Sequence, residues 1–190
     1  MKIDSKVFVI ALILSATVSP AMAEGFYAAL DLGQAKARDA CSGLPPGVTG
    51  CKDTAPLFRI AGGYQFAPMW GAEVSYAGYG KESAGTLGPF SLDWQFSGIQ
   101  VSGIGTFTLG NDFSLIGKLG IARTKIELSS GGFSESATST NLAYGIGAQY
   151  DFTESVAVRA QYEDLGTVGD ANTTSTTKAT LLSAGVVLKF

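Results

Sequence analysis

Six ionisable residues, Asp31, Arg59, Glu73, Lys118, Arg159 and Glu163, lie in stretches where polar or small residues alternate with apolar ones. Three are acids and three are bases. In an open cleft such groups serve as general acids and bases; in a cramped, poorly hydrated interior they pair and neutralise one another. The chain has no histidine, which excludes Ser-His-Asp and Cys-His nucleophilic schemes and histidine general bases. Lipases, deacylases and proteases of those types are excluded with them. Five further carboxylates near the long-loop rim, Asp93, Glu127, Glu135, Asp164 and Asp170, are scattered and read as solvating charges. No catalytic residue is expected. Gly145-x-Gly147 lacks the third glycine and the helix of a dinucleotide site, so no cofactor is implied.

The elements that carry the six charges have a period of two. In YGIGAQYDFTESVAVRAQYEDLG, residues 144–166, Gly145, Gly147, Gln149, Arg159, Gln161 and Glu163 alternate with large apolar residues across a short FTES turn. That is a hairpin whose two faces meet different surroundings. The same pattern predicts eight strands, at 25–35, 57–66, 70–80, 92–108, 113–127, 139–152, 155–165 and 178–190. Long Gly/Ser/Thr-rich connections follow the odd-numbered strands, and the short turns FAPM, LGND and FTES join the others. Long and short connections therefore lie at opposite ends.

Composition and the N-terminus say where such strands reside. MKIDSK followed by VFVIALILSATVSP and Ala21-Met22-Ala23 reads as a signal peptide over 1–23, leaving a single domain at 24–190; an uncleaved anchor helix is the alternative. Removal of that segment moves the formal charge from −3 to −4, which argues against nucleic acid. Charged residues are only 15% of the chain and glycines number 25, an unusual surface for a soluble domain. By parity one face collects Phe26, Leu30, Ile60, Val101, Leu119 and Val186. The other collects the six charges with Gln100, Ser102 and Gln161. An inside made of charges is no soluble core, whereas an apolar face toward lipid and a polar lumen fit a closed barrel. A lipocalin-like barrel with the faces exchanged is the competing arrangement. Phe26, Phe66, Trp70, Phe107, Phe113, Phe152 and Phe190 fall beside the chain start, the short turns and the C-terminus, as an interfacial girdle would. The expected fold is all-β, an eight-stranded antiparallel transmembrane barrel with short periplasmic turns and long extracellular loops.

Residues 144–170, GAEVSYAGYG at 71–80, GFYAALDLG at 25–33 and the terminal LSAGVVLKF resemble the membrane domain of outer membrane protein A and its small eight-stranded relatives. The resemblance implies an outer-membrane location and a charged cluster inside the barrel, with Glu73, Lys118 and Arg159 at matching places. Asp31 stands where that family often has lysine, and no peptidoglycan-binding domain is expected after Phe190. The terminal alternation of Val186, Leu188 and Phe190 resembles the signal read by the barrel assembly machinery during insertion. Other partners expected are outer-membrane lipid and lipopolysaccharide, with host or phage surface ligands as candidates for the loops; the chain is expected to be monomeric. Two roles remain: a structural and surface-interaction protein of adhesion type, or a narrow porin-like channel for ions and small solutes gated by interior ion pairs. Polar packing that plugs the lumen is favoured over the gate, because eight strands enclose space for little more than side chains.

Cys41 and Cys51 lie in ACSGLPPGVTGCK. Two thiols without histidine do not complete a zinc shell, and an exported chain with two cysteines is expected to form one disulfide, here stapling a loop. Both should resist thiol reagents until reduced, and replacing both should leave the barrel folded by its heat-dependent gel mobility. Labelling of the unreduced protein would contradict the pairing.

Overall fold

The computed structural model describes residues 25–38, 52–80, 82–87, 90–110, 112–130, 133–170 and 175–190; the segment 1–23 expected as signal peptide, Cys41 and Cys51 lie outside them. Alternation yields β1 (Gly25–Arg38), β2 (Thr54–Ala67), β3 (Trp70–Tyr79), β4 (Glu82–Leu87), β5 (Phe90–Thr108), β6 (Phe113–Ser130), β7 (Phe133–Asp151), β8 (Val156–Asp170) and β9 (Ser175–Lys189). Each pairs antiparallel with its neighbours in the order β3-β2-β1-β9-β8-β7-β6-β5, and β5 pairs back onto β3. β4 continues the wall begun by β3, against the outer part of β5. Eight walls therefore close on themselves.

A path along paired residues leaves Tyr79, passes Leu57, Gly33, Ser183, Gln161, Gly147, Ile116 and Thr106, and returns at Met69, ten residues below its start. A stagger of this kind tilts the strands by about 40° and leaves a bore just wide enough for side chains. The short turns are tight. Thr153 Oγ1 accepts from the Val156 amide at 3.0 Å, and the Leu109 amide donates to Phe113 O at 2.8 Å. At the other end Gly166 takes φ +70°, a left-handed conformation that suits glycine, and its amide donates to Asp164 Oδ1 at 2.7 Å. This bulge shifts the β8–β9 register between Asp164 and Thr167.

The faces lie as parity predicts. Phe26, Ile146 and Leu182 are 68%, 71% and 61% exposed, whereas Asp31, Arg59 and Glu163 are at 0–1%. The seven aromatics of the expected girdle are all exposed on the outside. The strands, however, run further than the sequence pattern indicates. Within the segment 128–138, expected as loop, the described residues continue the β6–β7 ladder out to Ser130 opposite Phe133. Ser and Thr composition suggested loop, but once two strands are paired in the membrane each further pair extends the ladder outward, and threonine suits a strand.

β9 joins both β8 and β1, and the Phe190 amide donates to Phe26 O at 2.9 Å. Deleting Phe190 should lower the heat-modifiable, outer-membrane fraction of the protein. Unchanged assembly would count against a role for the terminal strand in insertion.

Candidate functional site

The six charges meet in one closed ring. Asp31 accepts from Arg59 Nε at 2.9 Å and from Arg159 Nη2 at 2.7 Å; Glu73 accepts from Arg159 Nη1 at 2.6 Å and from Lys118 Nζ at 2.9 Å. Glu163 closes the circuit by pairing with Arg59 Nη1 and with Lys118 Nζ, the latter at 3.3 Å. Each acid thus lies between two bases and each base between two acids, so the cluster is neutral. Around it, Gln100 Nε2 donates to Glu163 at 3.1 Å, and Arg59 Nη2 donates to Gln161 Oε1 at 2.7 Å and to Ser183 Oγ at 3.0 Å. The Tyr27 hydroxyl donates to Glu73 at 3.0 Å. The Arg159–Glu73 bridge runs from β8 to β3, opposite walls of the barrel. Seven walls supply side chains.

β7, the eighth, supplies a gap. Gly145 is paired with Lys118 on one side and Glu163 on the other, so the bridge between those residues passes over it. A Cβ on Gly145 would lie 2.5 Å from Glu163 Cγ. The arrangement recurs. Gly185 lies between Asp31 and Arg159, and its Cβ would stand 2.2 Å from Leu30 O and 2.3 Å from Asp31 Oδ1. Gly63 lies between Tyr27 and Glu73, under the tyrosine ring. In each case glycine opens the wall between the two partners so that their side chains can meet across an intervening strand.

Above and below the ring the interior also holds apolar clusters, among buried polar residues such as Thr124 and Ser114, which the facing pattern had not indicated. Leu57, Tyr79, Leu165 and Leu181 pack with small alanines toward the long-loop end, and Ala29, Ala61, Ala157 and Val187 with Tyr27 toward the short turns. Tyr27 is a further member that the charge pattern does not single out, although its place beside lipid-facing Phe26 implies an inward side chain. Leu57 and Leu181 hold the equivalent place beside lipid-facing Phe58 and Leu182, but parity is their only signal, since leucine suits either face. Val186, Leu188 and Phe190 alternate outward on or just after β9, away from the ring. Among the described residues no group of His, Cys, Asp and Glu is arranged to hold a metal ion.

A closed barrel with lipid-facing apolar walls and a neutralised, filled interior defines a small integral protein of the bacterial outer membrane. Residues 8–190 match the family described as outer membrane protein beta-barrel domain, and the chain belongs to that family. It is similar to outer membrane protein A of Shigella flexneri, 29% identical over 140 residues that make up 68% of this chain and 38% of that protein. The chain therefore spans under two fifths of that relative's length. Among solved structures it is similar to Neisserial surface protein A, with TM-score 0.66 and 26% identity over 87% of this chain and 97% of that one. The barrel domain of Pseudomonas aeruginosa OprF (TM-score 0.61, 16% identity, 88% and 98% covered) and Ail of Yersinia pestis (0.56, 23%, 88% and 99%) share the fold.

Removing one base from the ring leaves two buried carboxylates short of a partner. Arg159→Ala should destabilise the barrel by about 3–5 kcal/mol in denaturant titrations, and Gly185→Ala should destabilise it through the close approach to the β1 backbone. Unfolding midpoints indistinguishable from the parent would refute the ring as a stabilising network.

Proposed function

We propose that the protein is a non-catalytic scaffold of the outer membrane that presents extended β-ribbons to molecules at the cell surface, an adhesion-type role. The observation that carries this reading is the filled bore. A solute crossing it would have to part the apolar layer around Leu57, Tyr79 and Leu181, then the ionic ring, then the layer around Ala157 and Val187. Each layer is backed by a rigid wall. The strands, by contrast, continue well beyond the apolar belt, and β6 and β7 stay paired to their tips. Such ribbons offer main-chain edges and Ser/Thr side chains to a partner while the barrel holds them in place. A narrow ion channel is the competing reading, with the ring as its gate.

Cutting residues 126–137 out of the β6–β7 ribbon should leave a folded, heat-modifiable barrel that no longer promotes attachment of cells to host-type surfaces. Parent and variant should both remain nearly silent in planar bilayer recordings. Large, steady currents from the parent, with Arg159→Ala altering ion selectivity but not unfolding resistance, would replace the scaffold reading with the channel.

A further inference from the structure

Above the apolar belt the barrel wall divides. β7 and β8 are paired from Asp151 opposite Ala157 up to Tyr144 opposite Asp164, whereas β7 stays on β6 out to Phe133 and β8 stays on β9 out to Asp170. The cause lies in β8. At Gly166 the chain takes φ +70° and its amide turns back to Asp164 Oδ1, a bulge of the kind that bends its strand and ends pairing. Beyond it, among the described residues, the stretch 136–140 of β7 has a strand partner on the β6 side alone.

Which groups face the opening follows from the ladder below it. A Cβ on Gly145 would lie 2.8 Å from Tyr162 O, and one on Gly166 would lie 3.3 Å from Leu142 O, so the main chains of Tyr162 and Leu142 point across the β7–β8 seam. Main-chain direction alternates along a strand, and Thr140, Thr138 and Ser136 therefore turn their N–H and C=O groups to the same side as Leu142. All three residues are exposed. Sheets guard such edges with lysine, proline or a short strand. The stretch SATSTNLAY, residues 136–144, has neither charge nor proline, and its threonines favour an extended chain. At the base of the opening Asn141 stands beside Gly166, and its side-chain nitrogen is buried without a hydrogen-bond partner. That nitrogen is a donor that calls for an acceptor.

We propose that this opening takes an extended segment of a partner polypeptide, which adds to β7 as an antiparallel strand. The inference rests on the scaffold reading above and names the place and manner in which the partner is held. A polypeptide main chain is the chemistry that fits, because it repeats a donor and an acceptor at every second residue with the spacing of a strand edge, as a glycan or an acyl chain does not. Ser136, Thr138 and Thr140 exchange main-chain hydrogen bonds with it, and a carbonyl of the inserted segment accepts from Asn141 Nδ2. Side chains of the segment alternate between solvent and the barrel mouth above Ala143 and Leu165, which favours small or apolar residues on the inner side.

The test uses the folded full-length protein in phosphatidylcholine nanodiscs, a soluble peptide of alternating threonine and valine, and the same peptide N-methylated throughout so that it has no main-chain donors. Amide hydrogen exchange at Ser136, Thr138 and Thr140 should be fast in the protein alone; the first peptide should slow it there, and the methylated one should not. Thr138→Pro removes an edge donor whose N–H points away from β6, so the ribbon should still form while the slowing is lost. Thr138→Lys, a residue that deters edge pairing, should give the same loss if the proline variant fails to fold. Heat-dependent mobility checks each variant. Slow exchange at these amides in the protein alone, equal slowing by the methylated peptide, or undiminished slowing in a folded variant would overturn the proposal. Cell attachment separates it from the scaffold reading. Attachment that survives Thr138→Pro but not removal of the ribbon would overturn the edge and leave the scaffold, whereas peptide binding by a parent that promotes no attachment would keep the edge and remove the adhesion role.

Discussion

Backbone amides in hydrocarbon have no water to bond to, so every strand must find a partner on both sides, and this constraint governs the rest of the molecule. It forces closure, here by β5 returning to β3 and by β9 joining β1. Closure with eight walls then fixes a narrow bore. A narrow bore cannot hold enough water to solvate charges, so charges on its lining must meet partners or be absent. The alternating ring of three acids and three bases satisfies that demand without leftover charge. Removing any one member breaks two bridges, because each carries two.

The narrow bore also explains the interior glycines. Arg159 on β8 cannot reach Asp31 on β1 if β9 presents a side chain between them, and Gly185 removes it. Gly145 does the same between Lys118 and Glu163. Long charged side chains and missing ones are therefore complementary. A sequence rich in both glycine and isolated interior charges is the expected result of filling a small barrel with polar groups.

Facing and closure were legible because a period of two registers the contrast between lipid and lumen at nearly every residue. Asp31, Arg59 and Glu163 could be placed inside by parity with Leu32, Phe58 and Tyr162. Their pairings could not, because partners such as Arg159 and Glu73 belong to opposite walls and their relative height depends on the ten-residue stagger, a property of the closed sheet rather than of any one strand. The apolar layers stayed hidden for a different reason. Leu57 and Leu181 have the same side chains as the lipid-facing residues, and only their parity separates them from Phe58 and Leu182. Outer strand ends were misread as loops because Ser/Thr/Gly composition reports solvent exposure, which a ribbon above the membrane shares with a loop.

The position of the ring bears on how the barrel selects its register. A barrel apolar on both faces would lose little when a strand slipped by one residue, since the inward and outward sets would be alike. Interior charges make the same slip costly: it would turn Arg159 and Glu163 on β8, or Asp31 on β1, from the lumen to the lipid, where an unpaired ion at the bilayer centre is strongly unfavourable. It would also move Gly185 and Gly145 away from the bridges they admit. The two apolar layers exclude water but carry no such penalty, since a leucine is at home on either face. Water exclusion is thus the work of the layers around Leu57 and Val187, whereas discrimination between registers falls to the ring, and the cost of desolvating its six charges is offset in the native register by the bridges that only this register allows.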